Sequence, residues 1–165
     1  MLQKKICILG AAGAGKTSLT AQFVYSKFSE KYLSTMGVKI DRKKVVVGDT
    51  QVNLMIWDIH GEEKFKKITS SYLRGASGLV MVVDGTRPET ITIAKEILQR
   101  VEQDVGDLPY VWLLNKADLV DEWSLSERHL NDLKEMNKPI YHTSAKTGEH
   151  VEDSFLALAE MLLLG

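Results

Sequence analysis

The chain has 165 residues, with 21 Lys and Arg against 22 Asp and Glu; this balance excludes the broad basic face of a general nucleic-acid binder, and the length suits one domain over residues 1–165. Hydrophobic residues make up 44% of it, yet no apolar run reaches membrane-spanning length, so a soluble protein without direct membrane insertion is expected. The lone cysteine, Cys7, excludes an intrachain disulfide and fits a buried core position in a reducing, cytoplasmic setting.

Residues 1–10 are too short and too soon polar for a signal peptide. The apolar run at 6–9 predicts a buried strand. It leads into Gly10-Ala11-Ala12-Gly13-Ala14-Gly15-Lys16-Thr17, a full match to the phosphate-binding pattern G-x-x-x-x-G-K-[ST]. Glycines here let backbone N–H groups turn inward around a phosphate, and the following helix, predicted over 17–28, adds its positive end. Lys16 would reach the outer phosphates, and the Thr17 hydroxyl would face a magnesium ion.

Further along, Val45–Val47 and residues 52–57 flank Gly48-Asp49-Thr50 and predict a hairpin with an antiparallel edge strand. Strands over 79–83, 111–114 and 140–141 alternate with helical patterns over 90–105 and beyond Val151. Ser124-Leu125-Ser126-Glu127 reads as a capping box with Ser124 as the cap. In the last helix Val151, Phe155, Leu158, Ala159 and Leu162 form one apolar stripe. The alternation implies a doubly wound α/β fold, mostly parallel, with six strands, one antiparallel edge strand and about five helices. Such sheets bind ligands beyond the carboxyl ends of their strands, where the motifs fall.

Asp58-Ile59-His60-Gly61 is a D-x-x-G at a strand end. Its aspartate can hold magnesium through water, and the Gly61 N–H can approach a terminal phosphate. Asn115-Lys116-Ala117-Asp118 follows the next-but-one strand. Asp118 can accept two parallel hydrogen bonds from a ring N–H and an exocyclic amine, a pair that guanine offers and adenine does not. Asn115 can brace the loop, and the Lys116 stem can lie over the purine or ribose. In Thr143-Ser144-Ala145-Lys146 the Ala145 N–H can donate to the guanine carbonyl. Thr35, in Tyr32-Leu33-Ser34-Thr35-Met36-Gly37, would complete the magnesium shell when a γ-phosphate is present.

Taken together, these motifs resemble the Ras superfamily of small GTPases over essentially the whole chain. Trp57-Asp58, Glu63-Lys64-Phe65 and Ser34-Thr35-Met36-Gly37-Val38 are most similar to its Rab branch. The resemblance implies a molecular switch that binds GTP and GDP with magnesium and hydrolyses GTP, using Lys16, Thr35, Gly61 and residue 62. It implies that Gly13, Ala14, Gly15, Lys16, Thr17 and Ser18 hold the phosphates. Phe28, Asn115, Lys116, Asp118, Ser144, Ala145 and Lys146 would hold the base, and Thr17, Thr35 and Asp58 the metal. It also implies a monomer that meets effectors and regulators through Ile40, Trp57, Tyr72 and the switch segments.

Three departures stand out. Glu62 occupies the place where Ras-like proteins usually carry a water-orienting glutamine, Ala12 replaces a common glycine, and Ile59-His60 replaces a small Thr-Ala pair. Slow intrinsic hydrolysis is therefore expected, with water placement by His60 as a rival reading. A binding module that does not turn over, a P-loop kinase or ATPase, and the G domain of a larger protein are the alternatives. No cysteine stands in the last residues, so no prenylation is expected from them. The run Lys64, Lys66, Lys67 reads as a solvated face. Trp123, in a polar loop, reads as a single exposed aromatic.

Overall fold

The computed structural model describes residues 2–28, 37–60 and 71–164. In chain order it has β1 (Leu2–Gly10), α1 (Lys16–Tyr25), β2 (Gly37–Val47), β3 (Thr50–His60), β4 (Gly78–Asp84) and α2 (Glu89–Val105). There follow β5 (Tyr110–Asn115), α3 (Glu127–Lys134), β6 (Ile140–His142) and α4 (Val151–Leu164). Residues 71–73 are also α-helical, so α-helical segments number five among the described residues, beside one 3-10 turn at Val120–Glu122. The six strands form one sheet in the order β2-β3-β1-β4-β5-β6. Only β2 runs antiparallel, pairing with β3 at the edge, as the hairpin pattern predicts.

Strand periodicity builds both faces of the core. Ile6 and Ile8 share one face with Val80, Val82, Val111 and Leu113, which α1 and α4 cover through Phe23, Phe155, Leu158 and Leu162. Cys7 and Leu9 share the other with Leu79, Met81, Val83 and Trp112, which α2 covers through Ala94, Leu98 and Val101. Strands buried on both faces must be apolar throughout, which is why β4 and β5 read as unbroken runs. Burial pushes the Cys7 thiol up to about 12, so the single cysteine is an inert core residue.

An aromatic pair joins the two helices on the first face. Phe23 of α1 stacks on Phe155 of α4, with ring centroids 4.2 Å apart and planes within 8°. Phe155 is fully buried. Phe155→Ala is expected to destabilise the fold by about 3–5 kcal/mol through lost burial and a residual cavity, read as a lower urea midpoint.

Two helix ends differ from the sequence pattern. Helix α1 stops at Tyr25, short of Phe28, because Ser26 turns left-handed (φ 54°) and its N–H closes on the Gln22 carbonyl. The cap of α3 is Ser126, not Ser124. Ser124 is used elsewhere: its N–H donates to Gly85 O (2.8 Å) and its hydroxyl to Glu122 O (2.9 Å). Two residues on, the Ser126 N–H donates to His129 Nδ1 (2.9 Å) while the His129 N–H donates back to Ser126 Oγ (3.4 Å), a reciprocal cap with histidine in the usual glutamate place.

Candidate functional site

The chain visits β3 before crossing to β4 on the other side of β1, so the strand order reverses at β1. A crevice opens at such a point beyond the strand ends. The glycine-rich loop leaves β1 there. Gly15 caps α1 in the left-handed region (φ 103°), and a Cβ on it would collide with the Asn115 amide. Only glycine satisfies both constraints. The Ala14 side chain is buried, and its N–H closes a turn on Ala11 O (3.2 Å). The Lys16 ammonium, itself buried, donates to Gly10 O (3.0 Å) and Ala11 O (3.2 Å) across the loop mouth. Ser18, in the first turn of α1, is half-buried.

Asp58 arrives from the end of β3 and is wholly buried. Thr17 Oγ1 donates to its Oδ2 at 2.7 Å, so the hydroxyl and carboxylate expected to share a metal are brought together. Both are hard oxygen donors of the kind magnesium prefers, so the residues present fit that ion.

The base-side residues form a connected network. Asn115 Nδ2 donates to Ala14 O (3.0 Å), tying the end of β5 to the phosphate loop, and Thr143 Oγ1 donates to Asn115 Oδ1 (3.2 Å). Ser144 Oγ donates to Asp118 Oδ1 (2.8 Å), and Ala117 N–H donates to Thr143 O (2.9 Å). Ala145 and Ser144 are buried, while Lys146 is exposed. Lys116 takes a left-handed backbone (φ 72°), and its ammonium meets the buried Asp84 carboxylate at 2.8 Å. Phe28 is 38% exposed, three residues beyond the end of α1. Thr35, Gly61 and Glu62 lie outside the described residues, as do Lys64, Lys66 and Lys67.

The surface patch also assembles. Ile40 and Trp57 are cross-strand partners between β2 and β3, and Trp57 meets Tyr72 at 6.2 Å between ring centroids. The Lys5 ammonium sits 3.6 Å from the centre of the Trp57 ring and donates to Arg74 O (2.8 Å). Ile40 is 45% exposed and Trp57 half-buried, so the patch presents apolar area while staying anchored.

Sequence patterns miss two features. Asp84, at the end of β4, is fully buried. Burial alone would raise its carboxyl, but hydrogen bonds from Lys116, Thr86 and Arg87 outweigh that and hold it below the usual carboxylate range. The available signal is an acidic residue ending an otherwise apolar strand at the ligand edge of the sheet. Trp123 is half-buried, not exposed: its ring packs over Gly85, where a Cβ would collide with it, and stacks on His142 with centroids 5.4 Å apart.

A phosphate loop at the switch point, a carboxylate beside its threonine and an Asn/Asp loop pinned to it define a P-loop protein of the small G-protein class. The Ras family model matches residues 5–164. Ras-related protein SEC4 of Saccharomyces cerevisiae is 32% identical over 159 residues, covering 96% of this chain and 74% of that protein. Ras-related protein Rab-7b of Mus musculus is 35% identical over 164 residues, 97% of this chain and 82% of that protein. GTP-binding protein ypt1 of Schizosaccharomyces pombe is 34% identical over 163 residues, 96% of this chain and 79% of that protein. The chain belongs to the Ras family, on its Rab-like branch, and is a small GTPase.

Proposed function

We propose that the chain is a single-domain guanine-nucleotide switch that alternates between GTP and GDP, hydrolyses GTP slowly and passes its state to effector proteins. The observation that carries this is the Asn115 bond to Ala14 O, which joins the base-reading loop to the phosphate loop. A site built this way grips both ends of one nucleotide. Asp118, oriented by Ser144, reads the ring N–H and amine of guanine, and Ala145 N–H reads its carbonyl. Lys116 and Phe28 flank the base, with Lys146 at the outer edge. Gly13, Gly15, Lys16 and Ser18 hold the phosphates, where fixed donors stabilise charge that develops as the terminal group leaves. Thr17, Asp58 and Thr35 hold magnesium, which when bound neutralises charge on the phosphate oxygens.

Ile40, Trp57 and Tyr72 form the effector patch; Trp57 and Tyr72 are of the types that dominate interface energetics. The Rab likeness supports regulation of the trafficking or signalling kind by a cytoplasmic monomer with no role in nucleic-acid binding. No described helix is long and apolar enough to cross a membrane.

The test is binding and turnover by the purified chain. GDP and GTP should bind in the presence of magnesium, ATP should fail to displace them, and GTP-loaded protein should release phosphate and retain GDP. Displacement of GDP by equal ATP would sink the guanine reading. GTP that stays intact on the protein would leave the non-hydrolysing binding module instead.

A further inference from the structure

Arg87 belongs to none of the nucleotide motifs, yet it touches the phosphate loop. It stands in the turn between β4 and α2, and its guanidinium makes two bonds at once. Nε donates to Asp84 Oδ2 at 2.9 Å, and Nη2 donates to Ala12 O at 2.8 Å. The anchor is firm: Asp84 is fully buried, its other oxygen accepts from Thr86 N–H (2.8 Å) and Thr86 Oγ1 (2.6 Å), and Lys116 shares Oδ2 at 2.8 Å. A planar guanidinium held at two of its nitrogens has little freedom left.

The bond to Ala12 O has a consequence one atom further along the chain. The Ala12 carbonyl and the Gly13 N–H belong to one peptide unit, which is planar and trans, so the two groups point in opposite directions. Holding the carbonyl outward on Arg87 turns the Gly13 N–H to the opposite, concave side of the loop. That peptide is the one most in need of a restraint. Gly13 has φ 78° and no Cβ, and glycine accepts either sign of φ, so its amide can rotate at little cost.

We propose that Arg87 is a positioning residue that fixes the Ala12–Gly13 peptide plane and presents the Gly13 N–H to a bound phosphate. Asp84 is its anchor, and through Lys116 the same carboxylate restrains the base loop. Phosphate and base grips thus share one buried carboxylate. The inference rests on the guanine-nucleotide reading above.

The test uses the whole chain loaded with GDP and magnesium, as native protein, Arg87→Ala, Arg87→Gln and Arg87→Lys. Two quantities are read: the chemical shift of the Gly13 amide proton and the release rate of GDP. In the native protein a phosphate-bonded Gly13 proton stands well downfield. Arg87→Ala should move it upfield and speed GDP release about tenfold, the scale of one lost hydrogen bond to a charged group. Arg87→Gln keeps a donor for Ala12 O without the charge and should recover the shift in part. Arg87→Lys keeps the charge but has one nitrogen for two acceptors and should recover it less.

An Arg87→Ala protein with an unmoved Gly13 proton and release within about twofold of native would overturn the proposal. A merely structural role would give that same unmoved proton together with a lowered melting temperature. Should Arg87→Ala fail to fold, identical Gly13 shifts in native, Gln and Lys proteins would overturn it equally. A native chain that holds no GDP would overturn the nucleotide reading itself, and this inference with it.

Discussion

Asp118→Ala is expected to lower affinity for GDP and GTP by roughly 10²- to 10⁴-fold, with little change in the weak affinity for ATP. The size follows from what the carboxylate does. Ser144 Oγ fixes one of its oxygens at 2.8 Å, which sets the plane of the group before any base arrives. A preset carboxylate can take two parallel hydrogen bonds from guanine, and removing it strands two base donors away from water. Adenine presents an acceptor where guanine presents its ring N–H, so ATP has little to lose. Titration calorimetry with GDP and with ATP checks both halves, and an unchanged melting temperature of the nucleotide-free protein shows that the fold is intact. A GDP affinity within about threefold of native would remove Asp118 from the base site.

The parts of this fold that a sequence reader can see are those where one physical demand dominates. Strands covered on both faces must be apolar, so β4 and β5 announce themselves, and the polar loops at their ends fall where such sheets bind ligands. Strands with a wet face are harder. Only residues 45–47 of β2 read as strand, yet it spans Gly37–Val47. Its Lys39, Arg42, Lys43 and Lys44 carry no apolar alternation, because an edge strand is better protected from pairing with other chains by charge. Its register on β3 is held by main-chain pairing instead.

The capping box failed for a different reason. Only Ser124 satisfies the local pattern, since Ser126 has histidine three residues on, but Ser124 N–H is taken by Gly85 O from a distant strand end and His129 completes the cap at Ser126 instead. Arg87 is illegible for the same reason: Asp84 is a local partner, three residues before it, but Ala12 meets it only once β1 and β4 lie side by side.

Glu62→Gln is expected to accelerate single-turnover hydrolysis of bound GTP by roughly 10- to 10²-fold, the scale of one well-placed donor to developing charge. A carboxylate can accept a hydrogen bond from the attacking water, but it has no N–H for the negative charge that grows on the transferring phosphoryl group. It also brings a like charge towards that group. An amide of the same length keeps the acceptor, adds the donor and removes the repulsion. Ala12 has a separate influence. Its methyl is expected to crowd the space that a partner's arginine would enter, and such an arginine supplies roughly 10³–10⁵ in rate. Glu62→Gln should therefore restore intrinsic turnover more than response to an activating protein, and Ala12→Gly the reverse. If the native chain already hydrolyses GTP as fast as the glutamine form, the carboxylate is not the brake. His60, the last residue of β3, then becomes the group to test for placing the water, and a rate untouched by His60→Ala would exclude it in turn.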